Sequence, residues 1–313
     1  MKTYTRRDFL KRTAGATALG MAAPELLGAE GSAEALQMAV ARWKGAKPED
    51  EPKVEEIAEK LTRDALTALG GMKRFVSRGD VVWIKPNISI HTVEQFAANT
   101  NPDVVASLCR LCYDAGAGKV KVGDNSAYGA DKAYPMSGIE AAVKAVDAEV
   151  VYLAQEKFSK CGVNGEFLKD WPVYTEMLAA DLLINVPIVK HHALTGVTIG
   201  MKNMMGMVGG RRPLWHDAID TCLADITAFV KPRLNVMDAI RVLVRHGPNG
   251  GDMKDVAFKG VVAAGTDVVA IDAAGAELIG IDPTRVTTIQ TAHRRGLGVI
   301  DFRSLRLKQC LVG

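Results

Sequence analysis

The chain has 313 residues, 48% of them hydrophobic and 24% charged, and carries a formal net charge of +3 at pH 7. This composition is ordinary for a folded globular protein of one large α/β domain or two small ones, and the charge excess is too small to draw in a nucleic acid or an anionic membrane surface. Five scattered cysteines, an odd number, exclude a disulfide scaffold.

The chain opens on Thr5-Arg6-Arg7-Asp8-Phe9-Leu10-Lys11, followed by a weakly apolar stretch from Thr13 to Leu27. Paired arginines ahead of Phe-Leu-Lys and a modest hydrophobic run form the pattern of a bacterial twin-arginine export signal. Residues 1–35 are therefore read as a removable leader, with cleavage after Ala35 or Ala29. The reading assigns the mature protein to the periplasm and makes the twin-arginine export machinery a partner. The apolar run is too short to anchor in a bilayer, and no later segment approaches about 18 uninterrupted apolar residues, so no permanent membrane span is expected.

Residues 36–53 read as a polar lead-in and residues 54–313 as a single α/β domain. A helix carrying Ile57, Leu61, Ala65 and Leu69 ends at Gly70-Gly71, and Val81–Ile84 reads as a buried strand. Asn101-Pro102-Asp103 supplies an N-cap and a first-turn proline for a helix that stops at Gly116. Cys109 and Cys112 fall in the middle of that helix, away from the N-terminus that lowers a redox thiol's pKa, and are read as buried apolar thiols. Lys119–Val122 is the next strand. Ser137-x-x-Glu140 has the form of a capping box for a helix through Val146, before a strand at Glu149–Leu153.

The alternation continues with a helix near Tyr174–Ala180, a strand Asp181–Val186, a helix His216–Val230 and a strand Leu234–Met237. A strand Gly260–Ala264, helices Asp267–Ile279 and Thr284–Arg294 and a strand Leu305–Leu311 complete the pattern. Strands alternating with helices of this length predict an α/β fold, a mostly parallel open sheet with helices on both faces.

Chemistry is expected where the apolar strands end, because open parallel sheets bind ligands at their carboxyl edge. The strand ends carry Lys85-Pro86-Asn87, Gly123-Asp124, Lys190-His191-His192 and Asp238. Lys85, Lys190 and Lys202 would form a pocket for a carboxylate or phosphate, with Asn87, Asp124, Thr195, Thr198 and Asn203 as further substrate contacts. Thr198 would cap a short helix that carries Lys202 and Asn203. His192, Lys190 and His216 are the catalytic candidates, and His192 and His216 with Asp238, or with Asp124 or Asp272, would form a two-histidine, carboxylate site for a divalent metal. Met201, Met204, Met205 and Met207 read as core, and Gly206, Gly209 and Gly210 before Arg211-Arg212-Pro213 as a flap. Asp272, in the apolar middle of its helix, must find a partner or face the crevice.

Gly79-Asp80-Val81-Val82-Trp83-Ile84-Lys85-Pro86-Asn87, Asn101-Pro102, Val122-Gly123-Asp124, Lys190-x-His192, Thr195-Gly196-x-Thr198, Lys202-Asn203 with Gly206, His216, and Asp267 with Asp272 together resemble the family named "domain of unknown function 362", over roughly residues 54–313. Some relatives of that type carry a ferredoxin-type cluster domain. This chain has no run of four closely spaced cysteines, so no cluster of its own is expected. The resemblance implies the fold and the place of the site more than a reaction.

Two functional readings follow. One is a periplasmic enzyme that anchors an anionic small molecule with lysines and moves a proton with a histidine, with or without a metal. The other is a non-catalytic ligand- or cofactor-binding accessory protein of a periplasmic redox system. It is suggested by an export signal in a chain with no G-x-S-x-G elbow, no P-loop and no G-x-G-x-x-G after a strand.

Overall fold

A computed structural model describes residues 35–313, so the leader assigned to residues 1–35 lies, except for Ala35, outside the described residues. The strands are β1 (Met38–Trp43), β2 (Val81–Pro86), β3 (Lys119–Val122), β4 (Glu149–Val150), β5 (Phe158–Gly162), β6 (Asp170–Tyr174), β7 (Leu182–Val186), β8 (Ile188–His192), β9 (Gly196–Thr198), β10 (Leu234–Leu243), β11 (Val256–Gly265) and β12 (Leu307–Val312). The α-helices are α1 (Glu51–Ala68), α2 (Pro102–Asp114), α3 (Ala130–Met136), α4 (Ile139–Lys144), α5 (Thr175–Ala179), α6 (Gly200–Asn203), α7 (Ile219–Val230), α8 (Val268–Leu278) and α9 (Thr287–Arg294).

The main sheet runs β12-β1-β11-β10-β7-β2-β3-β4, with β8 against β10 and β9 against β8. Parallel ladders join β10 to β7, β7 to β2, β2 to β3 and β3 to β4, while β11 runs antiparallel to both of its neighbours. Side chains alternate between faces along each strand. Val262 and Ala264 of β11 therefore join α1 and α2 in one core, whereas Val261 and Ala263 join α8 and α9 in another. Trp83 of β2 packs with α7 and the β5–β6 hairpin. The expected class is observed: a mixed α/β fold with a mostly parallel sheet and helices around it.

Local chemistry sets several boundaries. The Asn101 side chain accepts from the N–H groups of Asp103 and Val104 at 2.8 and 3.2 Å and starts α2 as expected, with Pro102 in its first turn. The Ser137–Glu140 capping box does not form. Gly138, at φ 76°, takes the cap position, and Glu140 instead binds Lys144 and Tyr152. Residues 38–43, expected within a polar lead-in, are a sheet strand between β11 and β12, with Met38, Ala39 and Ala41 buried.

The strand expected to stop at Met237 continues to Leu243, so Asp238 lies inside β10 rather than at its end. A charged residue is tolerated there because its carboxylate accepts from the N–H groups of Asn101 at 2.8 Å and Ile240 at 3.0 Å. After Pro187 the chain does not enter a loop. It forms β8, then folds back as β9 with Lys190 opposite Thr198 and His192 opposite Gly196.

Candidate functional site

β7, β2 and β3 are adjacent and parallel, so the segments that follow them meet at one edge of the sheet. At that edge Lys85 Nζ lies 2.7 Å from Asp124 Oδ1, with side-chain exposures of 0% and 3%. Lys85 also donates to Asn203 Oδ1 at 3.0 Å and to the Pro86 carbonyl at 2.9 Å, which occupies all three of its hydrogens. Burial nevertheless pulls its pKa below the ordinary lysine value, against the pull of Asp124. The second Asp124 oxygen accepts from Ile88 N at 2.8 Å.

Gly206 lies directly against this pair. A Cβ there would collide with Asp124 Oδ1 and come within 2.7 Å of Lys85 Nζ, so only glycine fits.

Asparagines link the pair to Lys190. Asn203 Oδ1 accepts from Asn87 at 3.2 Å as well as from Lys85, and Asn87 Oδ1 accepts from Lys190 Nζ at 3.4 Å. Asn203 Nδ2 donates to the Lys85 carbonyl at 3.1 Å and to Asn185 Oδ1 at 2.9 Å. Asn185 then donates to Asn235 Oδ1 at 2.9 Å. Asn185 and Asn235 are additions that the sequence pattern does not reveal, since a buried Asn in a strand has no composition signature.

Lys190 is 1% exposed and donates to the Ala98 carbonyl at 2.6 Å, with no carboxylate bonded to it among the described residues. Burial, then the nearby Lys202 charge, brings its pKa down to about 7. Lys202 has a weak contact to Met205 Sδ at 3.3 Å, and burial followed by Arg212 brings it to about 8. The Arg212 guanidinium donates to the carbonyls of Asn125 (2.7 Å), Ser126 (3.0 Å) and Met205 (3.3 Å), so it ties the segment after β3 to the turn after α6. Burial lowers its pKa while Asp124 opposes. The glycine-rich segment beside Arg211-Arg212-Pro213 is the sequence signal that points to this arginine.

His192 is held neutral. Burial and then the charges of Lys202 and Lys190 push its pKa down to about 3. Its Nδ1 accepts from the backbone N–H groups of Leu194 at 3.1 Å and Thr195 at 3.4 Å, which assigns the ring proton to Nε2. The expected histidine acid/base is thus presented as a neutral donor. His216, itself exposed, lies in the 3₁₀ turn Arg212–Ala218, near enough to His192 to depress it electrostatically. Thr195 closes the β8–β9 turn by donating to the Val197 carbonyl at 2.8 Å.

Thr198 does not cap α6. Its hydroxyl is buried without a hydrogen-bond partner, on the same face of the hairpin as Lys190. The α6 N-terminus is capped instead by Asp272, which accepts from Gly200 N at 2.6 Å and Met201 N at 3.1 Å. That contact answers the requirement that Asp272 find a partner.

The structure does not bring His192, His216 and Asp238 together as a metal site. Among the described residues no group of three His, Cys, Asp or Glu side chains is placed to hold a metal ion. Asp238 braces the start of α2, and burial raises its pKa to about 6 against the two N–H bonds it accepts. What the edge of the sheet offers is a set of cations, Lys85 and Lys190 buried and Lys202 and Arg212 partly buried, with Asp124 as the carboxylate that offsets them.

Among known proteins, a thylakoid-associated protein of Synechocystis sp. is 30% identical over 244 residues, which cover 75% of this chain and 74% of that protein. A solved structure of a Thermotoga maritima protein aligns over 80% of this chain at a TM-score of 0.37 and 12% identity. This chain covers 60% of the length of that protein, and at that score the likeness carries no argument. The model of the family described as "Domain of unknown function (DUF362)" matches residues 82–277, a span that holds Lys85, Asp124, Lys190, Thr198, Lys202 and Arg212. The chain belongs to that family.

Proposed function

We propose that the chain is an exported enzyme that acts on an anionic small molecule, with Lys190 rather than His192 as the group that moves a proton. The carrying observation is the surplus of buried and partly buried cationic side chains at the carboxyl edge of a parallel sheet, where ligands of open α/β folds bind. Buried charges without counterions are unfavourable. A bound anion would return each of these groups toward its ordinary pKa and stabilise the fold by linkage. A lysine at about 7 exchanges its proton near neutral pH, whereas a histidine at about 3 does not.

The test is a thermal-shift screen of small anions on the purified chain, repeated with Lys202→Met and Lys190→Met. Stabilisation by an anion in the wild type, lost in Lys202→Met, supports the reading. The absence of any anion effect sinks it. Turnover of the anion that is lost in Lys190→Met marks an enzyme, and retained binding without turnover marks an accessory binding protein. Export is supported by Arg6-Arg7 with Phe9-Leu10-Lys11. Arg6→Lys with Arg7→Lys is expected to keep the protein in the cytoplasm, and unchanged periplasmic recovery would refute the twin-arginine reading.

A further inference from the structure

Four hydrogen-bond donors at the site lack a full set of acceptors, and they approach from different elements. Lys190 Nζ has two acceptors for three hydrogens, the Ala98 carbonyl and Asn87 Oδ1. Lys202 Nζ, on α6, has the Met205 sulfur, a weak acceptor. Thr198 Oγ1 is buried with no partner, on a residue 4% exposed and directly opposite Lys190 in the β8–β9 ladder. His192, two residues after Lys190 and hence on the same strand face, accepts two backbone N–H groups at Nδ1 and keeps a hydrogen on Nε2. Lys85 adds no donor, because Asp124, Asn203 and Pro86 take its three. Arg212 gives three of its five N–H groups to backbone carbonyls through both terminal nitrogens, so its end-on fork for a carboxylate is already occupied.

We propose, on the basis of the anion-site reading above, that the group bound here is a tetrahedral dianion, the phosphate of a phosphomonoester, held by Lys190, Lys202, Thr198 and the Nε2–H of His192. Single donors from two strands and a helix suit an oxyanion that accepts from several directions. A planar carboxylate prefers two parallel N–H groups from one guanidinium. The dianion also supplies the charge that the pocket lacks. Because Lys190 and Lys202 lie at about 7 and about 8 in the free protein, binding raises both and draws protons from the buffer.

The probe is inorganic phosphate, with succinate, whose two charges sit on separate planar carboxylates, as the comparison dianion of the same total charge. Both are titrated calorimetrically into the full chain at mildly alkaline pH, where free phosphate is already the dianion and releases no proton on binding, in two buffers of different ionisation enthalpy. One phosphate per chain is expected, with an enthalpy that depends on the buffer in the sense of proton uptake. Thr198→Val is expected to weaken phosphate by about tenfold to about a hundredfold, the worth of a hydrogen bond to a charged group, with no loss of melting temperature in the free protein, since its hydroxyl bonds nothing there. Lys202→Met is expected to weaken it at least as much. Succinate binding as tightly as phosphate overturns the phosphate assignment and leaves the anion reading standing. Binding of neither overturns both. A lowered melting temperature in Thr198→Val, or unchanged phosphate affinity, removes Thr198 from the site and with it the tetrahedral geometry.

Discussion

Replacing Asp124 by Asn removes the carboxylate opposite Lys85 with almost no change in volume. At a separation of 2.7 Å the pair attracts by about 6 kcal/mol at an effective dielectric of about 20. Much of that is offset by the desolvation of two ions that are 0% and 3% exposed. The loss on breaking the pair is therefore set by the ammonium left behind, at about 3–5 kcal/mol. Burial already holds the Lys85 pKa below 10.5, with Asp124 the main opposing influence, so the variant moves it lower still. A lysine whose folded pKa lies below its unfolded value destabilises the fold while protonated. The penalty is relieved as pH rises through the folded pKa toward the unfolded one. From neutral pH upward the deficit of Asp124→Asn should therefore shrink as pH increases. Urea unfolding of the wild type, Asp124→Asn, Lys85→Met and the double variant across pH measures both the size and the slope, and the double variant should cost less than the two single changes added. A deficit under about 1 kcal/mol near neutral pH, small beside the loss expected for a broken buried pair, would refute the reasoning, as would one that grows as pH rises above neutral.

Gly206→Ala places a Cβ against the same carboxylate and ammonium, and should cost about 1–3 kcal/mol of overpacking strain and abolish thermal stabilisation by phosphate. Lys190→Met removes an amine held at about 7, so the stability of the wild type relative to this variant should rise as pH increases from about 7 toward 10.5, as read from denaturant midpoints. Asp272→Ala leaves the N–H groups of Gly200 and Met201 without their acceptor, and chemical denaturation should show a loss of about 1–3 kcal/mol. Burial pushes the Cys109 thiol up to about 12 and Cys112 higher, so mass spectrometry after native alkylation should find label on the partly exposed Cys310 and none on either of these until denaturant is added.

The parts of the fold legible in the sequence are those written in local chemistry. Asn101-Pro102 announces α2 because capping and a fixed φ act within one turn. The apolar runs Val81–Ile84 and Leu182–Val186 announce central strands because both faces are buried. β1 is hidden by its brevity and by the charged segment after it, since its partners are more than 200 residues away. Lys85, Lys190 and Asp124 are legible as polar residues following apolar strands. Asp238 reads the same way, yet β10 runs through it, because a long-range N–H donor from Asn101 and a local one from Ile240 satisfy it. The facing of Thr198 and Lys190 depends on the register of a hairpin, which the residues of either strand alone do not specify.

β1 has its antiparallel partner in residues 256–265 and its parallel partner in residues 307–312. During synthesis this segment precedes both partners by more than 200 residues, so Met38, Ala39 and Ala41 lack their sheet neighbours until residues 256–265 and 307–312 have been made. This flank of the sheet thus forms late, and a nascent chain stalled before residue 256 exposes an apolar ribbon of the kind chaperones bind.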